Sequence, residues 1–569
     1  MANIMTGAEA LLQSLLEQGV DTVFAYPGGT IIKVFDAMFS HRDDLRQILV
    51  RHEQAAAHAA QGYARISGRT GVAIVTSGPG ATNTITGISD AMLDSTPIVV
   101  IAGQVGTDAL GTDAFQEIDL VGVTQPITKW SYQIRRAEDI PWAVARAFYI
   151  AGSGRPGPVV LDFTKTAQNM ELDYKPQKIE YIRSYIPSPK PDMNQIHSAA
   201  ALIDQSRKPL VLVGHGVELG GAEKELKAFI EKADAPAART LLGMGALPSD
   251  HPLNMGMLGM HGNLAPNVKT NQCDVLIAVG MRFDDRVTSA TETYARQARI
   301  IHLDIDKSEF GKNVKPDICV LGDCRQTLAL ITECISKADH REWIESFAPL
   351  QAEEQKKVID AALHPTEGPL LMGEVVNAVS SQAPEGAAAT TDVGLNQMFT
   401  ARYFKFRSPR SIITSGGLGT MGFCLPAAIG ASLADPGRMV FAFMGDGGFQ
   451  MNIQELGTIM ETGAPVKITV MNNTFLGNVR QWQQMVCGSR YSCTHMLNPD
   501  YGKIAQAYGI PYRLVTDRSQ LDKAVSEMIA APGAFILEAA VMPEENVMPM
   551  IPGRCPVDKM IFSIDEKWK

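Results

Sequence analysis

Two apolar runs that each end in polar residues at a fixed spacing constrain this chain most. Met439–Met444 reads as a buried strand and leads into Gly445-Asp446-Gly447. Val466–Met471 reads as a second strand and leads into Asn472-Asn473, 27 residues after Gly445. A glycine turn at a strand's carboxyl end opens a helix, and two parallel strands joined in this way bring one carboxylate and one amide oxygen to the same sheet edge. Hard cations such as Mg²⁺ take that oxygen set, and Mg²⁺ commonly bridges to a phosphate-bearing ligand. Glycines let a diphosphate approach the backbone, and a helix N-terminus favours its charge. The plainer alternative is a strand–turn–helix in which the Asp only caps the helix.

At 569 residues the chain exceeds what one hydrophobic core supports, so three domains are expected. In the first, Val20–Tyr26, Gln47–Val50, Val72–Thr76, Ile98–Ala102 and Val159–Phe163 read as strands separated by helical patterns. The middle stretch repeats the alternation at Leu210–Val213, Val275–Val279 and Ile300–Asp304. The fold class is therefore α/β, with three doubly wound parallel sheets: residues 1–170, 193–345 and 370–547, then a Pro- and Met-rich tail over 548–569 that could close over something. Residues 170–192 read as a polar linker, and the charged helical stretch Gln351–Val358 with His364-Pro365 marks a second. Val72–Asn83 and Met439–Asn452 share one order of strand, glycine turn and helix start, as a ligand bound between two related domains would need.

The net charge of −10 argues against a nucleic-acid surface. No apolar run approaches the ~20 residues of a membrane helix. The N-terminus is expected to run straight into an amphipathic helix (Ala8, Leu11, Leu12, Leu15, Leu16, closed by Gly19) with no basic region before it, so no signal peptide is expected. Eight scattered cysteines without a CxxC pair fit reduced thiols in a cytoplasmic protein rather than disulfides or a zinc site.

Arg51-His52-Glu53-Gln54 opens an alanine-rich helix, with Glu53 expected one turn in. Such a glutamate either complements the helix dipole or serves a ligand. With the motif at 445–473, which resembles the thiamine diphosphate (ThDP) signature, the chain resembles the large catalytic subunits of acetohydroxyacid synthase, also called acetolactate synthase. Phe24–Gly29, Thr76–Gly80, Gly111–Glu117, Gly154–Pro158, Gly259–Gly262, Arg282–Val287, Ser415–Gly422 and Arg480–Trp482 carry the resemblance along nearly the whole length.

The resemblance implies roles for particular residues. Glu53 would face the aminopyrimidine of ThDP, and a carboxylate there has its pKa tuned by a dry pocket. Asp446 and Asn473 side chains and the Phe475 carbonyl would hold Mg²⁺. Gly394, Gly419, Gly445 and Gly447 would line the cofactor, and Met421 would buttress it, though from the residues alone an ordinary core methionine is the better reading. The middle domain would bind FAD through Arg155, Thr240, Leu241, Met260, His261, Gly280, Arg282, Asp304 and Asp323, with the flavin taking no net redox part. Gly214-His215-Gly216 alone is at most a weak dinucleotide signal. Pyruvate would be decarboxylated and its two-carbon unit passed to a second 2-oxo acid: pyruvate giving 2-acetolactate, 2-oxobutyrate giving 2-aceto-2-hydroxybutyrate, the first common step of branched-chain amino-acid synthesis. Arg286 would bind the acceptor carboxylate, unless it only pairs with Asp285. Trp482 would pack on the acceptor's alkyl group. Phe115, Gln116 and Lys165 would border the same pocket, Lys165 being equally readable as a solvated lysine. The minimum active unit would be a homodimer, and the assembly a homodimer or homotetramer, with the cofactor between the first domain of one subunit and the third of another. A small regulatory subunit is a further implied partner.

Four positions depart from the family pattern. Gly106 replaces Pro, Leu395-Asn396 replace Gln-His, Asn478 replaces Met, and Thr30 replaces Ala or Ser. Asn478 puts an amide beside Trp482, and Gly106 implies weakened inhibition by sulfonylurea herbicides. A pyruvate oxidase-type flavoenzyme, a flavin-free catabolic acetolactate synthase and a non-catalytic regulatory paralogue are the competing readings.

Overall fold

In the computed structural model, which describes residues 3–566, three six-stranded sheets follow one another along the chain, and every pairing within them is parallel. The first holds Thr22–Ala25, Arg46–Leu49, Gly71–Val75, Ile98–Gln104, Trp130–Ile134 and Val159–Thr164, in spatial order 2-1-3-4-6-5. The middle sheet holds Pro209–Val213, Ala237–Arg239, Asn254–Met257, Val275–Val279, Arg299–Asp304 and Ile318–Leu321, in order 3-2-1-4-5-6. The third holds Ala388–Thr391, Ile412–Ile413, Val440–Gly445, Lys467–Asn472, Tyr512–Val515 and Phe535–Ala540, again in order 2-1-3-4-6-5. The central strands are covered by helices on both faces, which is why Val72–Val75, Val275–Val279 and Val440–Met444 are continuous apolar runs rather than alternating ones. All eight cysteines are free. Among the described residues, no helix is long and apolar enough to cross a membrane.

The first and third domains meet within the chain along two helices, Glu53–Ser67 and Cys424–Ala434. A side chain at Gly62 would overlap the Ala427 carbonyl, and one at Gly430 the Ala59 carbonyl. Backbone contact at this crossing therefore requires glycine. Arg65 and Arg46 cross the seam, donating to the carbonyls of Thr414 and Leu433.

Four expectations need correction. The N-terminus begins with a short strand, Ile4–Thr6, before the helix Gly7–Glu17. Residues 170–192 are not a bare linker: Glu171–Asp173 pairs antiparallel with Ile4–Thr6, and Tyr174 and Ile182 are buried against the first domain. The second linker, helical as read but over 348–363, is no free connector: its Glu354 accepts from Leu264 N (2.7 Å) and pairs with Arg402, all out of solvent. Two side chains so placed tie the middle and third domains together. Glu53 starts its helix rather than sitting one turn in, because His52 takes the N-cap and accepts from Gln54 N at 3.2 Å.

Candidate active site

The strands Val440–Gly445 and Lys467–Asn472 are neighbours in register, with Gly445 opposite Met471. Asp446 therefore leaves one strand as the first residue of the helix Asp446–Met451, and Asn473 leaves the next strand at the same edge. Both are buried, at 0% and 2% exposure. Asn498 Nδ2 donates to Asp446 Oδ2 at 2.6 Å, while Asp446 Oδ1 is enclosed without any hydrogen-bond partner. Burial pushes this carboxyl above its ordinary range, and the Asn498 hydrogen bond pulls it partly back. A buried carboxylate oxygen without a partner is costly unless a cation takes it. Asn473 Oδ1 accepts from Phe475 N at 3.2 Å, and the positive φ of Thr474 (58°) turns the backbone between them. Among the described residues, no group of three or more His, Cys, Asp or Glu is placed to hold a metal ion. A metal here would draw on one carboxylate plus amide and carbonyl oxygens, which suits Mg²⁺. Asp446, Asn473 and Phe475 fit that ion.

The Met421 methyl lies beside Gly447 in the turn. Gly394 has φ +116°, outside the range of residues with a side chain, and Gly419 has φ +73°. Asn498 escaped the sequence reading because it lies 52 residues from Asp446 with no motif around it. Its amide also donates to Asn472 Oδ1 at 2.8 Å, so it ties both strand ends together.

In the first domain Asn83 Nδ2 donates to Glu53 Oε2 at 2.9 Å, and Oε1 faces Gly80 in the glycine turn. Gln116 (φ +61°) lies against Gly78 of that turn. Phe115 beside it is 87% exposed, and Lys165, opening a short helix after the strand Val159–Thr164, is exposed too. Thr30 ties the turn down: its Oγ1 meets Thr76 Oγ1 at 2.9 Å and accepts from Ser77 N at 3.0 Å.

A cavity of about 530 Å³ opens at the carboxyl ends of the middle sheet. It sits where the strand order reverses between Pro209–Val213 and Val275–Val279, the place a dinucleotide occupies in such sheets. Arg155, Thr240, Leu241, Met260, His261, Gly280, Arg282, Asp304 and Asp323 all line it. It continues to Gly394, Gly419, Arg286, Asn478 and Trp482. Burial and the Arg402 charge lower His261 to about 3, so its ring is neutral, with Nδ1 enclosed and unpartnered. Glu309, missed by the sequence reading, also lines the cavity and leaves one carboxylate oxygen unpartnered. Unclaimed buried polar atoms at the point where the strand order reverses fit FAD. Arg286 reaches Asp285 at only 3.9 Å with both side chains exposed, a pair too loose and too wet to hold it. Of the expected residues, Glu53, Phe115, Gln116, Lys165, Met421, Gly445, Asp446, Gly447, Asn473 and Phe475 do not line this cavity.

The tail packs beside it. Ile551 N donates to the Met260 carbonyl (2.8 Å), Val547 N to Gln481 Oε1 (3.0 Å), and Asn271 Nδ2 to Asp558 Oδ1 (3.0 Å).

Three family models match in order. They are the thiamine pyrophosphate enzyme N-terminal TPP binding domain over residues 5–123, the central domain over 196–331 and the C-terminal TPP binding domain over 392–539. Each falls on one of the three sheets. Among curated proteins, the chain is 44% identical to the "Probable acetolactate synthase large subunit" of Methanocaldococcus jannaschii, covering 96% of this chain and 94% of that protein. It is 42% identical to the acetolactate synthase isozyme 2 large subunit of Escherichia coli, covering 96% and 98%. With the acetolactate synthase large subunit of Lactococcus lactis it shares 40%, covering 98% and 96%. Built from three such domains and matched end to end by such relatives, the chain belongs to the thiamine pyrophosphate enzymes and, among them, to the acetolactate synthase large-subunit family.

Proposed function

We propose that the chain decarboxylates pyruvate and joins the two-carbon unit to a second 2-oxo acid, giving 2-acetolactate from pyruvate and 2-aceto-2-hydroxybutyrate from 2-oxobutyrate, as the first common step of branched-chain amino-acid synthesis. The observation that carries this reading is the enclosed, unpartnered oxygen of Asp446 at the sheet edge it shares with Asn473. ThDP, when bound, supplies the electron sink for decarboxylation. Asp446, Asn473 and the Phe475 carbonyl would hold the Mg²⁺ that anchors its diphosphate, with Gly394, Gly419, Gly445 and Gly447 admitting the cofactor to the backbone. Met421 supports it from below. Glu53, steadied by Asn83 at one oxygen, keeps Oε1 free to hold a proton at the cofactor's pyrimidine ring.

FAD would occupy the middle cavity without net redox change. Arg286 is unclaimed by protein partners strong enough to fix it, and it would take the acceptor's carboxylate. Trp482 packs on the acceptor's alkyl group with the Asn478 amide beside it, and Phe115, Gln116 and Lys165 border the site. Those three, with Glu53, lie away from the cavity of their own chain, and Phe115 is bare to solvent. This supports a homodimer in which a second copy brings them to the cofactor. The relatives' name, large subunit, supports a small regulatory partner. The cytoplasm, with its reducing thiol pool, suits eight unpaired cysteines.

The test is product analysis of the purified protein with ThDP, Mg²⁺ and FAD, given pyruvate alone and with 2-oxobutyrate. Acetolactate with the flavin still oxidised under anaerobic conditions is expected. Flavin bleaching on pyruvate addition, without carboligation products, overturns the reading in favour of an oxidase. Nanomolar inhibition by a sulfonylurea would overturn the role given to Gly106.

A further inference from the structure

The three domains converge on two residues of the first domain, Asp94 and Ser95, which follow the helix Ile85–Leu93 and line the cavity. Asp94 Oδ1 accepts from Gly417 N at 2.7 Å, and Oδ2 accepts from Gly416 N and from Arg65 Nη2, each at 2.9 Å. Arg65 reaches on to the Thr414 carbonyl at 2.5 Å. One helical turn before, Asp90 accepts from the hydroxyl of Ser415 and from Thr420 Oγ1 (3.2 Å). Two first-domain carboxylates thus hold the third-domain loop Ser415–Thr420, whose residues 415–419 form one wall of the cavity. The Asp94 and Arg65 side chains are 0% and 5% exposed, so these charge-assisted bonds lie out of solvent.

Ser95 has φ +58°, a conformation a serine adopts only when its surroundings enforce it. Its Oγ accepts from Arg155 Nε at 2.9 Å, and Arg155 pairs with Glu309 of the middle domain at 2.6 Å. Asp94 also faces His215, whose ring burial lowers to about 3 and keeps neutral, and Arg282 lies near Gly417. Burial and the Asp94 charge raise Asp90 to about 7.

We propose that Asp94 is a positioning residue for the flavin: through the Gly416 and Gly417 amides it sets one wall of the cavity that would hold it. The inference rests on FAD occupying this cavity. It is tested by titrating FAD into wild type, Asp94→Asn and Gly417→Ala, reading bound flavin by fluorescence and by its visible circular dichroism, with far-ultraviolet spectra reporting the fold. In Gly417→Ala the added methyl meets Asp94 Oδ1 at 2.8 Å and Leu93 Cβ at 2.9 Å, so the loop is displaced from the other side. Both folded variants are expected to bind FAD about 10–100-fold more weakly, as for loss of a charged hydrogen bond, with an altered flavin band. Wild type that takes up no FAD overturns the flavin reading itself. Wild type that binds FAD, with folded variants unchanged in affinity and band, overturns the role of Asp94 alone. Failure of both variants to fold also overturns it, by making Asp94 a pillar of the domain interface.

Discussion

The opening and closing domains have one strand order, 2-1-3-4-6-5, and carry opposite chemistry on it. After its third strand the closing domain has Gly445-Asp446-Gly447, with a carboxylate oxygen unclaimed by protein. The opening domain has Ser77-Gly78-Pro79 there, with no charge. After the second strand the roles reverse: the opening domain places Glu53 at a helix start, and the closing domain places Ser415–Gly419, a loop of backbone amides held by Asp94. The scaffold supplies edges and helix starts, and in the proposed function single residues at those places would decide whether an edge takes a cation, a ring nitrogen or another domain.

If the two domains divide the labour in this way, their variants should fail differently. Glu53→Gln should fold, keep Mg²⁺ and ThDP, and lose roughly 10²–10⁴-fold in kcat, the worth of a positioned acid–base group; near-normal turnover would break the comparison. Asp446→Asn should do the reverse, weakening Mg²⁺-dependent ThDP binding by about 3 kcal/mol, roughly a hundredfold, in a calorimetric titration. Arg286→Ala should lower kcat/KM for the acceptor by about 10–150-fold and leave ThDP and Mg²⁺ affinity alone. Asn498→Ala should cost about 10–100-fold in Mg²⁺ affinity, as loss of a ligand's supporting hydrogen bond does.

A last effect is on stability rather than chemistry and concerns the contact between the closing domain and Arg51, two residues before Glu53. Glu455 accepts from Arg51 N at 3.0 Å, and burial raises its carboxyl to about 7. The folded state therefore holds this proton more tightly than the unfolded chain does. The stabilisation is complete below about pH 4.5 and is lost as pH rises through about 7. Glu455→Gln should flatten this dependence, its stability relative to wild type rising by up to about 1.4 kcal/mol per pH unit across that window in urea denaturation. Parallel curves for the two proteins would remove the carboxyl from the account.

The longer unbroken apolar runs were legible: Val275–Val279 stands as read and the strand into Asp446 is shifted by one residue, whereas the short run Ile318–Leu321 went unread. Strands without such a run were not. Ala388–Thr391 is small and polar, Ile412–Ile413 is two residues long, and the edge strand Trp130–Ile134 is half-buried and mixed. Site residues announced by a turn motif were visible. Those recruited by tertiary contact were not: Asn498 reaches Asp446 across 52 positions, and Asp90 and Asp94 reach their loop across more than 300. A carboxylate on a helix looks the same in sequence whether it faces water or another domain.

The backbone-to-backbone crossing at Gly62 and Gly430 has a consequence for variation far from any reacting atom. One methyl group added at either glycine would pry apart the slabs that carry Glu53 and Asp446. A change remote from the coenzyme would then surface in assays as a fault in chemistry rather than as a fault in folding.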